Sequence, residues 1–420
     1  MSITIHQNPN PQTTSSFHPG FNDIIFVVSS SNVAQANFQY ICDLYLTDET
    51  GALTHAGQTY IREKTPAEPT YTSGVFNIKD IVKSFLSHNI GDATYGFQKC
   101  SNSIVEVVCK FGEEYGASSA ITAYPNLTNT STRYFWNGLF DFPDIKDYSG
   151  NYSGSSSSTL KFLTARPQNG IIRSNERAWL YTLDLTECDR ATVVTYDNAG
   201  AIIATHVITN SLHPVTSTGE NMIRFPAGPL NLNSIPASAF VSGAQPIYTD
   251  GVMSYSITMT DTVAGQVRDK QYYYLNSECT DSTIYRFHFW NKLGGFDSFS
   301  FIRAHTFETD IKRQNFKRNT ITRQPSGNYG YAKDVQSDIQ FNTNLKDTIK
   351  VTSDWVSEAT TLWLEELLTS PVIYLDDATH GLIAINPIDT KYIRKQWRTD
   401  GLHNLEFTFQ YSYDRFRQSQ

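Results

Sequence analysis

A chain of 420 residues with a formal charge of −8 is too long for one ordinary core. Its basic residues are mostly dispersed, which argues against a protein whose main task is gripping nucleic acid. Five cysteines (Cys42, Cys100, Cys109, Cys188 and Cys279) are odd in number, far apart and without a CxxC pair, so buried free thiols are expected rather than a disulfide framework or zinc ribbon.

The N-terminus, Met1–His6, has neither the basic flank nor the apolar run of a secretory signal, synthesis in a cytoplasm fits, and a polar arm, Gln7 to Ser16, comes next. No window approaches the roughly 20 apolar residues of a membrane span. Two strands follow, Asp23 to Val28 and Phe38 to Leu46, the second with Phe38, Tyr40, Cys42, Leu44 and Leu46 on one face. An amphipathic helix is predicted over about 77–88, where Ile78, Ile81, Val82, Phe85 and Leu86 share a stripe behind Asn77 and Asp80. A strand over Ile104–Phe111 precedes an aromatic knot, Arg133 to Pro143, that periodicity does not assign.

The Ser/Gly run between Tyr148 and Ser158 has almost nothing to bury and reads as a linker or surface loop. Beyond it the β pattern strengthens. Trp179, Tyr181, Leu183 and Leu185 alternate with polar residues; Thr192–Tyr196 and Ala201–Ile208 flank a four-residue turn, Asp197–Gly200; Met253 to Met259 alternates again. Next come YRFHFW (285–290), NKLGG (291–295) and FDSFSF (296–301), two aromatic strands folded over a loop whose Gly294 and Gly295 supply the conformational freedom of a tight turn.

From Glu308 the character changes. Lys312, Arg313, Lys317, Arg318 and Arg323 gather within a dozen residues, open to three readings: phosphates such as DNA, the acidic face of a neighbouring subunit, or a solvated strand edge whose charges discourage stray pairing. A second amphipathic helix, about 354–368, carries Val356, Ala359, Trp363 and Leu367 on one stripe after Ser353 and Asp354, with Glu358 and Glu365 opposite, and Pro371 ends it. Strands Val372–Leu375 and Leu382–Ile385 flank an aspartate turn, and Leu405 to Tyr413 closes the chain in clean alternation.

These elements predict an all-β to β-rich α+β protein with antiparallel sandwich- or barrel-like domains and two notable helices. The expected division is 1–148, a linker at 149–158, a central domain at 159–307 and a C-terminal α+β domain at 308–420.

The search for chemistry returns little. GxSxG, Walker, HExxH and GxGxxG motifs are absent, and no cofactor or metal is implied. His288 and His305 are the one histidine pair considered as ligands, and ordinary sheet histidines are the plainer reading. Asp141, Asp144 and Asp147, beside the aromatic knot, are the carboxylates considered for glycan hydrolysis; Asp376 and Asp377 read as turn residues making local backbone bonds.

Three patches bear a resemblance. FxFWNKLGGFDSF within Tyr285–Phe301, the opening NDIIFVVSSS (22–31) with Asn37–Tyr40, and the ending from Trp355–Glu358 through LLTSPVIYL (367–375) to the last aromatic strand resemble tail- or baseplate-associated virion structural proteins of tailed bacteriophages infecting Bacteroidota-type bacteria. The resemblance implies a non-enzymatic structural subunit of a tail, neck or baseplate, present in multiple copies and located in the virion. Its expected partners are copies of itself in a ring and neighbouring virion proteins. DNA contact is not favoured. The alternative is a receptor- or glycan-binding tail-tip module stacking sugars on Tyr134–Phe142 and Phe287–Phe301; a carboxylate-based hydrolase comes last. The candidate interface is Tyr285, Phe287, Phe289, Trp290, Phe299 and Phe301 together with Lys312, Arg313, Lys317 and Arg318.

Overall fold

The computed structural model describes residues 3–9, 17–47, 53–61, 65–68, 71–91, 96–117, 120–123, 129–146, 148–153, 160–184, 188–212, 221–262, 265–276, 283–331, 335–377, 379–392 and 402–416. The protein is β-rich, with mostly antiparallel sheets and few helices. It divides into two compact units: residues 1–278 with 290–297, and residues 279–289 with 298–420.

The first unit holds two cores. In one, the sheet containing Ile25–Ser30 and Tyr71–Asn77 faces the sheet containing Gln39–Thr47 and Ile104–Ala117. The period-2 pattern explains the facing: Tyr40, Cys42 and Leu44 turn inward with Val107, Cys109 and Phe111, and Phe26 and Phe76 meet the Phe111 ring at 5.2 and 5.7 Å between centroids. In the other, Arg190–Tyr196, Ser254–Asp261 and Gln271–Leu275 pack Val193, Ile257 and Tyr273 with Leu180 and Phe225 from the sheet of Trp179–Asp184 and Asn221–Pro226. The described cysteines, Cys42, Cys100, Cys109 and Cys188, are free and buried; Cys279 lies outside the described residues.

The Ser/Gly run does not separate units. Gln98–Lys99 pairs with Asn221–Pro226, so a strand from the N-terminal part completes a sheet of the central part. Tyr148 is buried, its hydroxyl on the His18 ring at 2.7 Å, and Lys161 N–H donates to the Asn151 carbonyl. Residues 154–158 of the run, and Asp147 before it, lie outside the described residues.

The helix expected over 77–88 is shorter, Lys79–Lys83. The Ser84 hydroxyl donates to the Ile81 carbonyl, and the Ser87 amide is taken by the Asn102 carbonyl, so the ladder does not continue. Ile78, Val82 and Leu86 still point into the core.

In the second unit an eight-stranded sheet runs in the order Phe296–Phe301, Tyr285–Trp290, Ile373–Asp377, Gly381–Pro387, Glu406–Tyr411, Asp338–Thr352, His305–Lys317, with Arg415–Phe416 off the path. Residues 290–297, the tip of the aromatic hairpin, belong to the first unit. The helix Glu358–Thr369 begins later than expected, because Ser357, whose hydroxyl accepts from Thr360 N–H, is the cap. Ser353 instead exchanges backbone and side-chain bonds with Leu405, and Asp354 holds Arg303. Trp363, Leu364 and Leu367 lie in one core with Phe287, Phe289, Phe301, Phe407 and Phe409; Thr361 is buried where Ala359 was expected, and Ala359 is exposed.

Candidate assembly interface

The sequence-predicted aromatic residues are not free surface. Phe287, Phe289 and Phe301 are essentially inaccessible: Phe287 meets Phe409 at 4.8 Å, Phe289 meets Trp363 at 5.6 Å and Phe301 meets Phe407 at 5.5 Å. Tyr285, Trp290 and Phe299 are half-buried: Tyr285 meets His305 edge-on, Trp290 meets Phe21 edge-on and His88 at a tilt, and Phe299 meets Trp363 edge-on. The burial of Phe287, Phe289 and Phe301 corrects their reading as interface or sugar-stacking residues, because a ring closed into a monomer's core has no face left for a partner. Around the knot the same holds for Phe135, Trp136 and Phe140, whereas Phe142 is exposed.

The hairpin loop explains its own sequence. The Asn291 side-chain oxygen accepts from Leu293 and Gly295 N–H, both at 3.0 Å, while its amide donates to the Leu163 carbonyl. Gly294 sits at φ +98, and a Cβ there would run into the Asn137 side chain.

Among the described residues neither candidate for chemistry assembles a site. His288 is fully buried, Nδ1 to Ser298 Oγ at 2.7 Å and Nε2 to Asp376 Oδ2 at 3.4 Å, a polar row across three adjacent strands. Serine, histidine and aspartate are present in hydrolytic order, but an imidazole with no accessible surface meets no substrate. His305 instead meets the Tyr285 and Phe307 rings edge-on. Among the described residues no group of three or more His, Cys, Asp or Glu gathers as a metal site. Asp141 and Asp144 both face the Lys292 ammonium, at 3.0 and 4.0 Å, with side chains 69% and 60% exposed, two solvated carboxylates sharing one cation. Asp377 makes the local bonds expected of a turn, accepting from Thr379 and His380 N–H, which hold its carboxyl below the usual range.

The exposed feature is a ribbon. Its outer strand, His305–Lys317, is the last of the eight-stranded sheet and pairs along its length with the inner strand, Asp338–Thr352. Glu406–Tyr411 covers only Thr348–Thr352 of the inner strand, and Arg415–Phe416 covers Asn344 and Leu345. Among the described residues the stretch Asp338–Thr343 is therefore paired in the ladder with the outer strand alone. The ribbon continues through Arg318 N–H to the Ser337 carbonyl into Ile321–Arg323 paired with Tyr329–Tyr331, turned at Gly327.

Every outer-strand residue from Thr306 to Lys317 is exposed, although Ile339, Thr343 and Leu345 on the inner strand are buried. Lys312, Arg313, Lys317 and Arg318 thus stand in solvent on one arm with Arg323. Beside them are rings and branched chains that the sequence reading passed over: Phe307 (53% exposed), Ile311, Phe316, Ile321, Phe341, and Tyr329 and Tyr331 (both 75%). The available signal was the alternation Phe307–Thr309–Ile311 and the Tyr-Gly-Tyr strand after a glycine turn, which the density of charge obscured. Exposed apolar side chains and cations thus share one ribbon.

No protein-family model matches the chain, and no curated protein does. A solved structure similar over 98% of this chain and 90% of its own is the crystal structure of Dpr2 Ig1-Ig2 in complex with DIP-Theta Ig1-Ig3, at 9% identity and a TM-score of 0.16. That score carries no argument. Among the described residues no helix is long and apolar enough to cross a membrane.

Proposed function

We propose that the chain is a non-enzymatic structural subunit of a tailed-phage virion, of the tail, neck or baseplate kind that its sequence phrases resemble, and that the ribbon is the arm by which it assembles. One observation carries this reading: a long β-ribbon whose outer strand is exposed from Thr306 to Lys317 presents Phe307, Ile311, Tyr329 and Tyr331 among cations. Such an arm gains little by itself, since a two-stranded ribbon is marginal in water, and is stabilised by burial against a neighbour. Charge supports a protein partner. The stretch 312–331 carries +5 with no acid, so the rest of a chain of net −8 carries −13, and other copies offer the opposite sign.

The glycan-binding reading loses its support on the hairpin, because most of the rings named for it are closed into the core. The hydrolase reading loses it at Asp141 and Asp144, for the solvation already described.

Sedimentation and light scattering on the purified chain, alone and mixed with neighbouring virion proteins, test the proposal. Assemblies above the monomer mass of 47.4 kDa are expected, weakened when Lys312, Arg313, Lys317, Arg318 and Arg323 are all replaced by Gln. A chain that stays monomeric and joins no particle overturns it.

A further inference from the structure

Among the described residues the outer ribbon strand is an open sheet edge, the feature proteins ordinarily shorten, cover or interrupt. Here it is long, exposed and terminal in its sheet. Its charges do more than discourage pairing, because they are ordered: Glu308 and Asp310 come first, Lys312 and Arg313 second, with Ile311 between them. Ile311 is also the midpoint of His305–Lys317.

We propose that this edge pairs antiparallel with the same edge of a second copy, Ile311 opposite Ile311, joining two sheets through a two-fold axis. The inference rests on the assembly reading above and names the partner and register.

Symmetry restricts the choices. Two identical strands related by a two-fold axis perpendicular to their sheet place opposite residues on the same face, so the register moves only in steps that keep like parity together. Centring the axis on Asp310 sets Asp310 against Asp310, and centring it on Lys312 sets Lys312 against Lys312; like charges directly opposite are destabilising. Centring it on Ile311 sets Asp310 against Lys312 of the second copy twice, Thr309 against Arg313, and Glu308 against Gln314 and diagonal to Lys312. Within each copy Asp310 already lies opposite Lys346, so the joined sheet carries a row alternating Lys346, Asp310 and Lys312 of the second copy. On the other face Ile311 covers Ile311, removing from water a branched side chain that is 46% exposed in the monomer. The irregularity between Gln314 and Asn315 lies just outside Glu308–Gln314, leaving the central pairs on regular strand.

Analytical ultracentrifugation across a concentration series reads the pairing. Wild type is expected to dimerise. Asp310→Lys weakens the dimer by about tenfold or more, since the change counts twice. The double exchange Asp310→Lys with Lys312→Asp restores pairing in the same chain. Thermal melts of each variant check that the ribbon still folds. Independently, Ile311→Cys on an otherwise unchanged chain is expected to cross-link to itself when diamide oxidises the two thiols, because directly opposite Cα atoms lie within disulfide reach. Thr306→Cys, about 34 Å from its own copy in this register, is expected not to cross-link.

Self-association abolished by the five-fold Gln variant but unchanged by Asp310→Lys, or cross-linking at position 306 but not 311, overturns the register while assembly stands. A chain that binds neighbours or DNA yet never itself overturns the self-pairing alone. A chain that joins nothing overturns both.

Discussion

The indole Nε1–H of Trp136 donates to the carbonyl oxygen of Leu293 at 3.1 Å, tying the end of strand Asn129–Trp136 to the loop of the aromatic hairpin. Both groups are buried, and Leu139 N–H bonds the adjacent Lys292 carbonyl. The aromatic knot of the sequence thus becomes the seat of the hairpin tip within the first unit.

Trp136→Phe keeps an aromatic ring but removes that donor and leaves a void. An unsatisfied buried carbonyl and a partial cavity together cost about 2–4 kcal/mol. Urea denaturation followed by intrinsic fluorescence should show a lower midpoint with little change in slope.

His18 predicts a pH dependence. Burial, aided by the nearby Arg133 cation, pulls its pKa from 6.5 down to about 4. The unfolded chain therefore binds the proton more readily between those values. Its contribution is fully present above pH 6.5, falls as the pH drops towards 4 and levels off below, a loss of about 3 kcal/mol. Denaturation midpoints at pH 7.5, 5.5 and 4 measure it. In His18→Gln, which can still meet the Tyr148 hydroxyl, the profile should flatten over that window.

Arg268 is 1% exposed, its guanidinium fanned onto the Thr182 hydroxyl and the carbonyls of Leu183 and Val267. Lysine keeps the charge but cannot present a planar fork to three acceptors. Arg268→Lys should destabilise by about 2–4 kcal/mol, read as a lower thermal midpoint.

Much of the fold was legible. The Asp197–Gly200 turn appears where its residues required it, with the Asp197 carboxylate accepting from Ala199 and Ala201 N–H and Gly200 at φ +79. The alternations at Arg190–Tyr196, Ser254–Asp261 and Glu406–Tyr411 became strands because neighbouring side chains on a pleat must point to opposite faces. Of the residues named from sequence as an interface, Phe287, Phe289 and Phe301 belong to the core, Tyr285, Trp290 and Phe299 are half-buried, and Lys312, Arg313, Lys317 and Arg318 are exposed.

The sequence by itself determined which residues alternate, where turns must bend and which end of the outer strand is acidic, since each depends on bonds and charges only a few residues apart. Only the tertiary structure decided that Gln98–Lys99 completes a sheet with Asn221–Pro226, that Phe287 meets Phe409, and that His305–Lys317 is, among the described residues, an edge. Periodicity states that residues share a face; what covers that face depends on strands far along the chain, whose pairing is settled by the burial available to the whole sheet.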